Sequence, residues 1–400
     1  MFANSLGAMS PTYWSRRMGR KQYKTEIFRA LANFEEQATL KDGQKVDRPY
    51  RSDIVVENYT KGTALTAQDL TATSDQLTVD SIKAALLYVD DVDGIQNKYS
   101  AVNLWADEAG RRLAISTDAR FLYEAFSAND TVDDGDIGGN AGEGITVSTT
   151  NIVDIFGAIN EKMDANNLPD EGRFFAISPQ FYRKLWTFIQ GKQTMLGDRT
   201  GSTGMIGAYD GLELFKTNNL TGSARWTPAN NPSNADTITI QGVTFTFVST
   251  IGTTAGNILQ TTSTAVTIDN LVALINADGV GDGVNYVSLS TADKRTVQDW
   301  VAVDGTTYFD VRVPGASYLT VTGSDATDVW TAAYQNQNLL AGLKGAIDAV
   351  VQLRPKILTA STVSAGKAGT NILPMTLFGV YTFYQGKNEI FRVPVRSDAY

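Results

Sequence analysis

The stretch Ile152–Leu185, IVDIFGAINEKMDANNLPDEGRFFAISPQFYRKL, constrains this chain more than any other. Apolar side chains at Ile152, Ile155, Phe156, Ile159 and Met163 follow helical spacing, and Asn166-Asn167 breaks it. Leu168-Pro169 leads into Asp170-Glu171-Gly172, a turn whose glycine permits a left-handed backbone. Arg173–Ser178 then reads as a short buried strand, and Pro179 suits the first turn of a second helix. The order predicts a helix packed on a sheet. None of these positions carries chemistry, so the run speaks of architecture alone.

Composition removes most enzyme classes. The chain has no cysteine and no histidine. Cys/His metal sites, thiol nucleophiles, disulfides and the usual general base near neutral pH are therefore excluded. Asp90, Asp91 and Asp93 form an acidic group, but they stand at the mouth of a predicted helix, where carboxylates favour the positive end of the dipole. Ser178-Pro179 does not sit in a nucleophile elbow. The sequence predicts no enzyme, no catalytic residue, no metal and no cofactor.

Four hundred residues are long for one core, so two or three lobes are expected. An apolar share of 42% and a charged share of 19% suit a globular chain. No run of about eighteen apolar residues is present, so no membrane helix is predicted. Met1-Phe2-Ala3-Asn4-Ser5-Leu6 lacks the basic and apolar regions of a signal peptide, which predicts a cytoplasmic origin.

Charge is unevenly placed. Residues 1–52 carry ten basic and five acidic side chains. Residues 225–336 carry four basic side chains, ten aspartates and no glutamate. The basic start invites a nucleic-acid reading through phosphate neutralisation. The preferred reading is an arm docked on acidic surfaces of neighbouring subunits, with Trp14, Tyr23, Phe28 and Phe34 as anchors among Arg16, Arg17 and the other cations. Ser10-Pro11 marks a helix start, and Ile27, Leu31 and Phe34 mark one helical face.

Asp53–Tyr59 and Gln76–Ile82 alternate as strands around a polar tip, Lys61–Asp75. Val92, Ile95, Tyr99, Val102, Ala106, Ala109 and Leu113 step by three and four, predicting one long helix to about Phe126. Asp130, Asp134 and Gly135 match part of a calcium loop, but Val132 and Ala141 stand where oxygen ligands are needed, so a solvated loop is predicted. Gly191–Gly207 is glycine-rich without a phosphate-cradling motif.

Residues 222–336 differ in kind, being rich in Thr, Asp and Gly. Thr237–Ile240 and Val243–Val248 alternate about Gln241-Gly242, a hairpin signal. Thr267 is expected to cap a helix bearing Ile268, Leu271, Val272 and Ile275, which Asn276-Ala277-Asp278-Gly279 stops. Tyr308–Val313 and Tyr318–Thr322 read as further strands. A small β-rich domain inserted into a host is predicted.

The order of these features resembles the major capsid proteins of tailed, especially short-tailed, bacteriophages, with the Hong Kong 97-like fold. The run Ile152–Leu185 is similar to a family signature of helix, Asn-Leu-Pro, acidic turn, Gly-Arg, apolar strand and proline. Ala208–Leu220 resembles the family's return strand, Leu339–Gln352 (LLAGLKGAIDAVVQ) its Ala/Gly-rich axial helix, and Leu377–Tyr381 (LFGVY) its final strand. The resemblance breaks off at the 222–336 stretch and resumes after it.

What the resemblance implies is an α+β fold divided as N-terminal arm 1–52, extended loop 53–88, peripheral domain with spine helix 89–190, axial domain 191–221 and 337–400, and inserted domain 222–336. It implies self-assembly as hexamers and pentamers into an icosahedral head enclosing double-stranded DNA. A separate scaffolding protein and a portal are the expected partners, because Ser10-Pro11 leaves little room for a fused scaffold. No membrane partner is expected. The expected place is the virion, with assembly in the host cytoplasm. Assembly contacts are expected at Trp14, Arg16, Arg17, Phe28, Phe34, Tyr59, Lys61 and Asp69, with Lys61 also the candidate for a crosslink as in some relatives. A same-fold bacterial nanocompartment shell, a secreted adhesin or surface-layer protein, and a carbohydrate-active enzyme are the competing readings.

Overall fold

In a computed structural model of the chain, the structure describes residues 26–41, 43–51, 54–62, 64, 66–68, 72–90, 92, 101–192, 206–324, 328–364 and 367–397. Helix Ile152–Ala165 buries Ile152, Ile155, Phe156, Ile159 and Met163, the face that the spacing predicts. Gly172, at φ +83°, turns the chain into strand Arg173–Ile177, whose five residues are all buried. Ser178 caps the next helix, Pro179–Gln190, by accepting the Phe181 N–H at 3.2 Å, with Pro179 at the first position. The strand is apolar on both faces because it has neighbours at both edges and helices packed against it. Leu212–Lys216 pairs with it in parallel and Asn336–Leu343 antiparallel.

Asn336–Leu343 is the centre of a ten-stranded sheet among the described residues. One edge pairs along its length with Ile390–Arg396. The other edge pairs first with Thr221–Ser223 and then with Arg173–Ala176. This overturns the axial helix expected over Leu339–Gln352. The run is instead the end of a strand, a turn at Gly345 (φ +88°), and the start of Asp348–Ser364. A Cβ at Gly342 would meet the Glu389 carbonyl oxygen at 2.6 Å, so the glycine serves close strand approach. Leu377–Tyr381 is a strand as expected, inside Lys367–Tyr381, but Ile390–Arg396 follows it as the last one. The long antiparallel hairpin of Asp348–Ser364 and Lys367–Tyr381 carries Ser81–Ala84 and Leu87–Asp90 on its outer edge. Pairing of Arg173–Ala176 with Leu340–Leu343 crosses the expected boundary between residues 89–190 and 337–400.

A second core lies in the 222–336 stretch. Trp226 stacks on Phe247 (centroids 5.6 Å, interplanar angle 10°) and meets Phe309 edge-on at 5.7 Å. Strands Thr237–Ile240 and Val243–Val248 join through Gln241 (φ 49°) and Gly242 (φ 82°), the two left-handed residues such a tight hairpin requires. The helix runs Thr264–Asn276, one turn earlier than expected. Ser263, not Thr267, is at its start, and the Thr267 hydroxyl donates back to the Ser263 carbonyl at 3.0 Å. Asp278 (φ 53°) and Gly279 (φ 74°) end it as the sequence predicts. Phe309–Val313 and Val321–Gly323 are strands. This lobe is not joined to the rest by linkers alone, since its strand Thr221–Pro228 belongs to the large sheet. The join is polar: Asn338 Nδ2 donates to the Thr221 carbonyl and the Ser223 hydroxyl, both at 3.0 Å.

The long helix is described from Ala101 to Tyr123, followed by a tighter turn, Glu124–Ser127, so the expected continuation to Phe126 changes character after Tyr123. Residues 93–100, with Ile95 and Tyr99, lie outside the described residues. Toward its end the helix buries Leu113, Phe121 and Leu122, together with the carboxylate of Asp118. That carboxylate accepts the N–H groups of Ile27 (2.8 Å) and Phe28 (2.9 Å) and the Asn219 amide (2.5 Å). Hydrogen bonds to an ionised group contribute about 1.5–3 kcal/mol each, and their orphaned partners are costly when buried. Asp118→Ala is expected to destabilise folding by about 3 kcal/mol in urea unfolding, and Asp118→Asn by less. A loss under about 1 kcal/mol for Asp118→Ala would show that the carboxylate is dispensable.

Burial alone raises the carboxyl of Glu389 above the ordinary glutamate range. The folded chain therefore binds this proton more tightly than the unfolded one. Its favourable contribution is full below the unfolded value and is lost as pH rises through the raised folded value. Glu389→Gln is expected to raise Tm at pH 7 and to match the wild type below about pH 4. An unchanged difference across that range in thermal scans would refute it.

Candidate assembly surfaces

Where the fold places the expected contact residues is informative. Phe28 is 3% exposed and packs against Phe34 (6.1 Å) and Phe121 (6.4 Å) of its own chain. Phe34 is half-buried on the same core. These two aromatics anchor the chain start to the long helix of the same subunit. Tyr59 and Lys61 are exposed, and the Tyr59 hydroxyl accepts the Gly62 N–H at 3.4 Å. Trp14, Arg16, Arg17 and Asp69 lie outside the described residues.

The extended loop starts earlier than its apolar residues suggest. Its paired strands are Lys45–Arg51 and Ala72–Thr78, in register from Lys45↔Thr78 to Arg51↔Ala72. Asp53–Tyr59, expected as the first strand, lies past that pairing, and residues 54–59 are outside any strand. The inward side chains explain the shift. Arg48 lies 4.0 Å from the Phe383 ring centroid, and Tyr50 stacks on Tyr384 at 4.4 Å. Both bury through aromatic contact rather than aliphatic alternation. Arg48 also reaches Asp348 through two nitrogens, each at 3.1 Å, and Glu36 at 2.7 Å. Burial raises the Asp348 carboxyl, and the Arg48 contacts pull it back only in part. Leu40, Leu77, Val79 and Val350 close a small third core around this root.

Beyond the root, Ile54, Val55 and Val56 are 73%, 65% and 93% exposed. Gln68 holds the Val55 backbone from the opposite limb, donating to its carbonyl at 2.6 Å and accepting its N–H at 3.1 Å. A run of three exposed β-branched residues on a braced arm is the form of a contact surface. Sequence reasoning missed the brace, because Arg48 and Asp348 are 300 positions apart.

Chemistry is sparse elsewhere. Asp133 accepts the N–H groups of Gly135 (2.9 Å) and Gly142 (2.7 Å), and Asp136 meets Lys162 at 2.7 Å. The Asp130–Gly144 carboxylates thus serve backbone amides, the side-chain amides of Asn166 and Asn140, and a lysine, as a solvated turn does. Asp90 accepts the Val92 N–H at 2.9 Å, while Asp91 and Asp93 lie outside the described residues. Among the described residues no group of three acidic side chains could hold a metal ion, and no helix is long and apolar enough to cross a membrane. An open cleft of about 1150 Å³ separates the long helix from the second lobe, flanked by Arg112, Tyr123, Trp300 and Pro314. The Lys83–Asp299 ion pair spans it.

Removing Arg48 would leave Asp348 buried beside Glu36 without its cation, a loss of about 3 kcal/mol for breaking such a pair. Arg48→Ala is expected to speed amide exchange across Ala72–Thr78 at least tenfold, and Arg48→Lys by less, since lysine lacks the two-pronged fork. Wild-type protection in Arg48→Ala would show that the node does not brace the loop.

Comparison with known proteins bears on this arrangement. A family model described as "Phage capsid protein" matches residues 77–253. Comparison with the curated proteins gave no significant match. A solved structure from Mycobacterium phage Che8 shares the fold with a TM-score of 0.57 at 13% identity, covering 98% of each chain. The capsid structure of the cyanophage P-SCSP1u has a TM-score of 0.53 at 15% identity, covering 98% of this chain and 95% of that one. The mature capsid of bacteriophage PhiM1 gives 0.50 at 11% identity, covering 97% and 92%. The chain thus matches a phage capsid family over residues 77–253 and shares the α+β, Hong Kong 97-like fold of solved phage capsid structures along nearly its whole length.

Proposed function

We propose that copies of this chain close into an icosahedral shell of hexamers and pentamers around packaged double-stranded DNA. The observation that carries this is the braced loop, which among the described residues leaves Ile54, Val55 and Val56 exposed, in a form suited to cover by another subunit. Contacts repeated around local symmetry axes need only modest individual strength, because a closed shell has many of them. Apolar cover on the loop contributes at about 25 cal/mol per Å². The role is structural, in keeping with a sequence that lacks histidine and cysteine. The expected partners are a separate scaffolding protein, a portal and the DNA itself, which meets an acidic subunit of net charge −9 and is held without sequence preference. Assembly takes place in the host cytoplasm. Residues 222–336 act as an inserted lobe fastened to the host sheet, and Trp14, Arg16 and Arg17 of the arm dock on neighbouring subunits while Phe28 and Phe34 hold it to its own. The adhesin and enzyme readings gain no support from the fold, and the phage capsid match over residues 77–253 favours a phage head over a nanocompartment shell of the same fold.

Electron microscopy of the purified protein, alone and with a candidate scaffold, is expected to show closed particles. An Ile54→Asp/Val56→Asp double variant is expected to keep the wild-type Tm and lose the particles. A monodisperse subunit of 43.3 kDa under every condition would sink the proposal.

A further inference from the structure

The second lobe carries an unbalanced set of half-buried arginines where it meets the last strand. Arg225 pairs through two nitrogens with Asp310 (2.7 and 2.8 Å) and lies over the rings of Tyr308 and Tyr334, so its charge and that of Asp310 are matched. Arg312 lies two residues beyond Asp310 on the same strand, on the same face. Its guanidinium is 4.2 Å from the centroid of Phe126, and that of Arg392 is 5.0 Å from the same ring. Among the described residues neither Arg312 nor Arg392 forms a salt bridge.

The nearby carboxylates are already engaged. Asp310 is held by Arg225, and Asp133 by two backbone N–H groups. Three guanidinium groups thus converge where two carboxylates are both occupied. Burial, with Arg312 and Arg225 adding to it, pushes Arg392 down to about 10. Cation–ring contact offsets only part of the cost of keeping like charges together away from water. Arginine forks favour planar oxyanions, which accept two parallel N–H bonds.

We propose that Arg312 and Arg392 form an anion socket that is filled, on shell assembly, by a carboxylate side chain from a neighbouring copy of this chain. The inference rests on the assembly reading above. A second copy is the occupant that charge favours: the chain carries 43 acidic against 34 basic side chains, so a neighbour offers mostly carboxylates. The socket also spans the seam between the second lobe, through Arg312, and the terminal strand, through Arg392. A filled socket therefore ties a neighbour to both parts of the subunit at once.

The test has two arms. In the first, full-length wild type, Arg312→Glu and Arg312→Lys are assembled side by side and counted by electron microscopy. Arg312→Glu is expected to give at least tenfold fewer closed particles although the Tm of its dissociated subunit is no lower than the wild type's, and Arg312→Lys an intermediate yield. Wild-type yield from Arg312→Glu overturns the proposal. The second arm needs no shell: dissociated subunits are titrated with glutarate as the carboxylate probe, and with inorganic phosphate, while Tm is followed. Wild type is expected to gain stability with glutarate, and Arg312→Glu to stay flat. Equal gains in both proteins overturn the socket, and a response to phosphate alone overturns the carboxylate in favour of a nucleic-acid contact. Should the wild type form no shells, the assembly reading fails, while the glutarate arm still decides the socket.

Discussion

Strand Asn336–Leu343 is the constraint on which the other elements depend. It offers one edge to Ile390–Arg396 and divides the other between Thr221–Ser223 and Arg173–Ala176. Its composition changes where its partner changes. Asn336, Gln337 and Asn338 face the second lobe, whereas Leu339, Leu340 and Ala341 enter the main core. One strand therefore joins two cores whose contents are otherwise separate. A polar half permits a specific, hydrogen-bonded seam, and an apolar half permits close packing on the helices.

Two buried carboxylates fix what the sheet alone leaves free. Asp118 fastens the start of the described chain to the long helix, and Asp348 fastens the extended loop to the long hairpin. They differ in what satisfies them. Asp118 is met by backbone and amide N–H groups, so it orders a segment. Asp348 is met by a guanidinium that also lies on a ring, so it orders a junction of elements.

Much of the local structure was legible because its signals are local. The period of Ile152–Met163, the turn at Gly172, the cap at Ser178-Pro179 and the hairpin at Gln241-Gly242 each rest on residues within a few positions. The failures share the opposite cause. LLAGLKGAIDAVV is apolar but for Lys344 and Asp348, and such a run reads equally as a buried strand or a buried helix until its partners are known. Those partners lie near residues 173, 390 and 380. The root of the loop was missed because Lys45–Arg51 buries an arginine and a tyrosine in alternation, a pattern that hydropathy scores as exposed. Of the expected contact residues, Tyr59 and Lys61 are exposed as a contact requires, while Phe28 is spent inside its own subunit. The convergence of Arg312 and Arg392 on Phe126 leaves no trace in local sequence, since the three lie on separate elements.

The short polar seam has a mechanical consequence. Thr221–Ser223 and Asn336–Asn338 run antiparallel, and their ladder bonds lie across the strand direction. A pull on the second lobe along that direction loads these bonds together in shear, whereas a pull across it opens them one after another, as in peeling. The lobe is thus stiff toward force along its strand and compliant toward force across it, and the axis of that strand sets which way the subunit yields first.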